Sequence, residues 1–495
     1  MLRTDPDLIA ALRSDLDAAP YTVARIAQVL GPLAAAALDR DQVLPAERRT
    51  RTDDDPVAVL VRLFALGDPV DQGRVDRALP RLGASGAIRL GLLRAEGDAV
   101  LAVVDLRPYA EQDHSWWIAS DLSEVATRGP LPQDHVLGVG GASLTLASWT
   151  PRPHVIRALD LGTGCGVQAL HLSRHAQQIV VTDISDRALD FVRFNAALNE
   201  QDWEIRHGSM LEPVAGEQFS LIVSNPPFVI TPRDHDLPSY EYRDGGRRAD
   251  AVVEHLVTSL GAHLEPGGIA QLLGNWEVHG EQDWRERVGA WARAAGVDAW
   301  VIQREMQDPA QYAEVWARDG GHRPGTAEYD RMYAAWLDDF ASRDVRAIGF
   351  GIVTLHRPLQ PRAAVVDLMD LRGPVPAPVG PSMLAGIAAR GWLAEHDDAQ
   401  ALDIAWTMAA DITVAQHFRP GESEPSVIEL SQGGGLAIRE RLDTGAAAFA
   451  SVCDGELPAR ASLVAIAGLL GVDQEELIAA MLPRLRRWIA HGIVT

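Results

Sequence analysis

Three short clusters in this 495-residue chain carry residue types with chemical use. The first is Asp160-Leu161-Gly162-Thr163-Gly164-Cys165-Gly166, placed after an apolar run and at the start of a helical one. Glycines there let the backbone turn tightly and approach a ligand, and a helix N-terminus offers free N–H donors. The second is Asp183, closing the run Val180-Val181-Thr182. An acidic side chain about 20 residues after such a turn can accept both hydroxyls of a ribose. The third is Ser224-Asn225-Pro226-Pro227-Phe228, directly after Phe219-Ser220-Leu221-Ile222-Val223. Consecutive prolines fix φ and hold the preceding residue extended, which makes a rigid loop at a strand's carboxyl end. Singly, these clusters also suit a tight turn, a solvated strand end and a stiff loop. Together they place three ligand-facing loops along one sheet edge.

In this order the motifs resemble class I S-adenosylmethionine methyltransferases of the Asn-Pro-Pro-Phe/Tyr type, over about residues 136–357. The longer run Asn225-Pro226-Pro227-Phe228-Val229-Ile230-Thr231-Pro232, with Gly245-Gly246-Arg247, most resembles the release-factor glutamine methyltransferases. The four-residue motif is shared with nucleic-acid base amino-methyltransferases. The resemblance implies S-adenosylmethionine as cofactor, cradled by Gly162, Gly164 and Gly166, with Asp160 near its amino group and Asp183 on its ribose. Ser209, in His207-Gly208-Ser209-Met210, stands where an acidic residue would accept the adenine amino group, and its hydroxyl can still accept a hydrogen bond. Asn225 and the Pro226 carbonyl would accept the two N–H groups of a planar nitrogen, and Phe228 would stack on its plane or exclude water. An amide or exocyclic amine is a poor nucleophile because its lone pair is delocalised, so positioning and dipoles must aim it. The stretch Leu137-Gly138-Val139-Gly140-Gly141-Ala142-Ser143 reads equally as a loop over the cofactor and as a flexible linker.

The elements that must position these residues follow from pattern. Short apolar strands near residues 155–159, 179–182, 219–223 and 269–273 alternate with helical segments near 167–174, 186–198, 249–263 and 284–295. That alternation predicts a doubly wound, Rossmann-like α/β domain. Helices near 309–318 and 326–340 and a long strand near 345–355 complete it over residues 131–357. Residues 1–130 read as a mostly helical, winged-helix-like module, with a helix near 57–66 and alternating stretches around 88–93 and 100–106. Residues 358–382 read as a proline-rich, extended linker, and 383–495 as a second α+β module of winged-helix type.

Composition bounds the rest. Net charge is −23, and all 45 basic residues are arginine, which excludes a Schiff-base or P-loop lysine. The acidic balance argues mildly against a protein that coats nucleic acid. Cys165 and Cys453 support neither a disulfide framework nor a cysteine zinc site, and no run of about 18 uncharged apolar residues occurs. A cytoplasmic protein without membrane attachment is the expectation. His171 and His175, i,i+4 on one predicted helix, lack a nearby third ligand and read as surface or packing residues; no metal is expected. The favoured activity is N-methylation of a macromolecule, protein glutamine ahead of an RNA or DNA base, with a small molecule third. A degenerate scaffold is disfavoured by the joint presence of Asp160, Gly162, Gly164, Asp183 and Asn225.

Overall fold

A computed structural model describes residues 1–127, 131–232, 243–319 and 324–495. Its centre is an eight-stranded sheet of β1 (Val155–Leu161), β2 (Ala176–Asp183), β3 (Glu204–His207), β4 (Phe219–Ser224), β5 (Leu264–His279), β6 (Asp298–Gln307), β7 (Val345–His356) and β8 (Val366–Asp370). The order across the sheet is β3-β2-β1-β4-β5-β7-β6-β8. β7 runs antiparallel to β5 and β6, and the remaining neighbours pair in parallel.

Side chains along a strand alternate between faces, and here each face has its own core. Ala158, Leu221, Ile302 and Ile352 lie in one cluster with α2 (Val167–Leu172), α3 (Asp186–Leu198) and Trp149 of α1 (Gly141–Trp149). Their sequence neighbours Leu159, Ile222, Val301 and Val353 lie in the other, with α4 (Ala251–Leu260) and α5 (Trp284–Ala294). Both faces are covered, and the doubly wound α/β expectation is borne out. The chain leaves β1 toward β2 and β3 and returns to β4 on β1's other side. The loops after β1 and β4 therefore open beside each other at the carboxyl edge, where such sheets bind ligands.

Between β6 and β7 the chain inserts two helices, α6 (Pro309–Asp319) and α7 (Ala327–Ser342). The segment read as a linker behaves differently from a free tether. It supplies edge strand β8 and enters the helix Gly380–Glu395, which lies against the sheet. Arg390 of that helix pairs with Asp367 of β8 at 2.6 Å, its guanidinium lying 3.5 Å from the centre of the Trp300 ring on β6. Met383 and Ile387 join the same core as Trp300.

The N-terminal module contains the winged-helix order. The helix Pro56–Leu60 is followed by strand Val70–Asp71, helices Gln72–Ala78 and Gly83–Leu90, and the hairpin Leu93–Glu96/Ala99–Ala102. Residues 88–90, expected to be strand-like, end the helix Gly83–Leu90, because Gly91 takes the left-handed conformation that stops it. A second hairpin, Asp105–Glu111/His114–Ser120, joins this module to α3. The buried Asn195 carboxamide receives the Ala119 N–H at 2.8 Å and donates to the Ala119 and Cys165 carbonyls, both at 2.8 Å. The boundary drawn at residue 130 falls in 128–130, outside the described residues. Beyond the helix Gly380–Glu395, the C-terminal module has a three-stranded antiparallel sheet, four helices and a core of its own that includes Phe449, Leu463, Leu485 and Trp488.

Candidate active site

A cavity of about 1260 Å³ opens at the carboxyl edge of β1, β2 and β4. Asp160, Gly162, Gly164, Asp183, Ser209, Asn225, Pro226 and Phe228 all line it. Gly166 does not join them. A Cβ at Gly166 would meet the Trp203 ring at 3.0 Å, so this glycine admits Trp203 beneath the turn and does not form cavity wall.

The turn after β1 is held by carboxylates. Asp160, 1% exposed, accepts on one oxygen from the Thr163 hydroxyl at 2.6 Å and the Ala169 amide at 3.0 Å. Its other oxygen, Oδ1, is buried without a partner. Burial pushes this carboxyl up to about 7, opposed by those two hydrogen bonds and reinforced by the nearby Asp183 charge. Asp183 accepts from the Gly164 amide at 2.9 Å and from the Ser185 amide at 2.9 Å, so it shapes the turn as well as facing the cavity. Gly162 and Gly164 have positive φ, and a Cβ at either would enter open space. An acid with one unpartnered oxygen and two side-chain-free wall positions fit a ligand with a cationic amine lying close along the backbone.

The loop after β4 is clamped from both sides. The Ser224 hydroxyl donates to the Leu161 carbonyl at 2.8 Å, locking the ends of β4 and β1 together. Downstream, the Ile230 amide donates to the Tyr312 hydroxyl at 2.7 Å, and the Trp336 indole donates to the Ile230 carbonyl at 2.7 Å. Val229 donates to the Arg243 carbonyl at 3.0 Å, and Thr231 bonds Asp244. Asn225 Oδ1 is buried and without a hydrogen-bond partner among the described residues. A partly buried carboxamide with an unused acceptor, on a loop fixed at this many points, is prepared for an N–H donor.

Residues 137, 138 and 140–143 line the cavity, so the glycine-rich stretch before β1 does lie over it. It is anchored through Asp121, which accepts from the Val136 amide at 2.8 Å and pairs with Arg187 of α3. Trp316 and Asp319 of α6, with Arg243 and Asp244, also line the cavity and were not singled out from sequence. Their one signal is Tyr312 and Trp316 at i,i+4, a spacing that reads as helix core. The pair His171 and His175 goes to packing. His171 bridges Tyr109 and Glu111 at 2.9 Å each, and His175 meets the Pro153 carbonyl at 2.8 Å.

Comparison with known proteins agrees with this geometry. Residues 138–303 match the methyltransferase small domain, and residues 18–103 match a domain of unknown function (DUF7059). A release factor glutamine methyltransferase of Xylella fastidiosa is 37% identical over 131 residues, 24% of this chain and 47% of the relative. A ribosomal protein uL3 glutamine methyltransferase of Xanthomonas campestris is 31% identical over 192 residues, 36% of this chain and 62% of the relative. A ribosomal RNA small subunit methyltransferase C of Alcanivorax borkumensis is 27% identical over 122 residues, covering 25% and 33%. The chain spans about half the length of the first glutamine methyltransferase relative. The methyltransferase resemblance read from the 160–166, 183 and 225–228 motifs is borne out.

Proposed function

We propose that this protein is an S-adenosylmethionine-dependent N-methyltransferase whose acceptor is a planar nitrogen of a macromolecule, a protein glutamine first. The observation that carries the reading is the unused Asn225 carboxamide oxygen, in the same cavity as the Gly162–Gly164 turn and Asp183. When bound, S-adenosylmethionine supplies a methyl group on a sulfonium sulfur. Asp160 and the turn at Gly162 and Gly164 would hold its amino-acid part, Asp183 would hold its ribose, and Ser209 would meet its base. Asn225 Oδ1 and the Pro226 carbonyl accept the two N–H groups of the acceptor and direct its lone pair for in-line attack. Phe228 covers the planar group and keeps water out. The N–C bond would form as the methyl's bond to sulfur breaks, leaving a neutral thioether, and the methylated nitrogen, cationic and therefore acidic, would give its extra proton to solvent, so no strong base is required.

The cavity's charge favours a protein over a nucleic acid. Among the described residues, seven aspartates and two arginines line it, and both of these arginines pair with aspartates, Arg187 with Asp121 and Arg243 with Asp319. Phosphate binding needs uncommitted cationic groups, and this wall repels a polyanion. The second reading, a base amino group of RNA or DNA, rests on the Alcanivorax rRNA relative and the winged-helix order of the N-terminal module. No single described helix is long and apolar enough to cross a membrane, and both cysteines are buried free thiols, which supports a reducing cytoplasm as the location.

The deciding experiment is transfer of a tritiated methyl group to cell lysate, followed by protease or nuclease digestion. Label released by protease and absent with Asn225→Ala supports the reading. Nuclease-sensitive label transfers it to the base alternative, and label confined to small molecules overturns the macromolecular acceptor.

A further inference from the structure

The helix pair α6 and α7, inserted between β6 and β7, begins beyond the 138–303 span of the methyltransferase small domain, yet reaches the acceptor end of the cavity. Its attachment is rigid. Tyr312, Trp336 and Phe340 pack with Val229 and Ile230 in one core, and the Tyr312 and Trp336 hydrogen bonds to Ile230 make the Asn225 loop and the insert a single unit. Trp316 projects from α6 onto the cavity wall. Its ring stands edge-on to Phe228, with centroids 6.5 Å apart and planes at 78°. The Trp316 carbonyl is fixed by Arg243 at 2.9 Å. The Trp316 indole N–H, by contrast, is buried and has no acceptor among the described residues.

Two buried polar atoms on residues that line this end of the cavity are thus unused, an acceptor on Asn225 and a donor on Trp316. Leaving either buried and unsatisfied is unfavourable, and a ligand that satisfies both must carry a donor hydrogen and an acceptor; among planar nitrogen groups, an N–H beside an oxygen acceptor meets this. A primary carboxamide is the smallest such group.

We propose that Trp316 is the specificity-determining residue of the acceptor site, its indole N–H donating to the carbonyl oxygen of a primary carboxamide whose nitrogen is held by Asn225. This deepens the planar-nitrogen reading and rests on it. Phe228 and the Trp316 ring touch edge to face and together form one continuous aromatic wall on which a flat group can lie.

The test uses the full-length protein, saturating S-adenosylmethionine, and two probes: a pooled peptide library with one central glutamine, and a pooled single-stranded RNA library. Trp316→Phe keeps an aromatic wall and removes the N–H. It is expected to raise KM for the peptides about 3- to 10-fold, the scale of one neutral hydrogen bond, with kcat changed less than about twofold. Trp316→Ala is expected to raise KM further. Affinity for S-adenosylhomocysteine and the melting temperature should stay at wild-type values in the Phe variant, which a merely structural role would not give. A Trp316→Phe enzyme with wild-type KM on peptides overturns the proposal while leaving the planar-nitrogen reading in place. Wild-type label on the RNA pool alone overturns the carboxamide assignment. A wild-type protein that binds S-adenosylhomocysteine and labels neither pool overturns both readings together.

Discussion

Asn225 and Asp160 pose opposite problems of unused bonding capacity. Asn225 is neutral, and its empty buried acceptor carries a desolvation cost that an N–H donor relieves. Asn225→Ala is expected to lower turnover by about 10²–10³, the scale of losing one preorganised catalytic dipole, while leaving S-adenosylhomocysteine affinity unchanged. Stopped turnover with intact ligand binding, measured on the same folded preparation, checks it. Asp160 is ionisable, and burial raises its carboxyl to about 7. The folded protein therefore keeps this proton between the ordinary carboxylate range and about pH 7, where the unfolded chain has lost it. The contribution to stability falls as pH rises through that window. A ligand ammonium beside Oδ1 favours the carboxylate, so binding should expel the proton. S-adenosylhomocysteine affinity is expected to rise with pH up to about 7, with proton release visible by calorimetry in buffers of different ionisation enthalpy. Asp160→Asn, which can still accept from Thr163 and Ala169, should bind more weakly and lose that pH dependence. Asp183→Ala should weaken cofactor affinity by about 1.5–3 kcal/mol, the scale of hydrogen bonds to a charged group. Its bond to the Gly164 amide means part of that loss comes through the turn.

At the level of elements, the strands that sequence reveals are those buried on two faces. Runs such as Leu221-Ile222-Val223 are continuous and apolar, and they announce β1, β2, β4, β5 and β7. β3, Glu204-Ile205-Arg206-His207, and β8, Val366-Asp367-Leu368-Met369-Asp370, are edge strands with polar positions, and their periodicity is too short to stand out. β6 is apolar only at 299–302, and its remaining half is polar. The same bias governs the site. Glycines, prolines and strand-end acids carry local backbone meaning and were legible. Trp316 and Asp319 come to the cavity by tertiary packing of an insert and Arg243 by its bonds to that insert, which leaves no mark on local pattern. Proline density in residues 373–381 suggested a severable linker, but Met383, Ile387 and Arg390 beyond it pack on Trp300. A chain ending between 373 and 381 is expected to aggregate, because it strips that ring of its cover. A chain ending after Asp397 keeps the helix Gly380–Glu395 and should be more soluble. Size-exclusion chromatography of the two compares them directly.

Across the whole molecule, the N-terminal module and the catalytic sheet share one hydrophobic core, in which Leu12, Phe64 and Trp116 pack with Phe191, Phe194 and Trp149. Asn195 stitches the same units through polar bonds to Ala119 and Cys165. Residues 1–357 are therefore expected to melt in one transition. Asn195→Ala should lower stability by about 1–3 kcal/mol for each buried group left unpaired. It should also weaken S-adenosylhomocysteine binding, because Cys165 belongs to the cofactor turn. Hydrogen exchange that shows residues 1–127 opening independently of residues 131–357 in the wild type would contradict this coupling.

The shared core also bears on how such an enzyme changes over generations. Modules joined by loose tethers can be traded between genes and keep folding, so a new target can arrive with a new module. Here an exchanged N-terminal segment would leave Phe191, Phe194 and Asn195 facing surfaces that never matched them. Exchange of that segment is therefore costly, and a shift in acceptor comes more readily by point substitution in place, at cavity-wall positions such as Trp316.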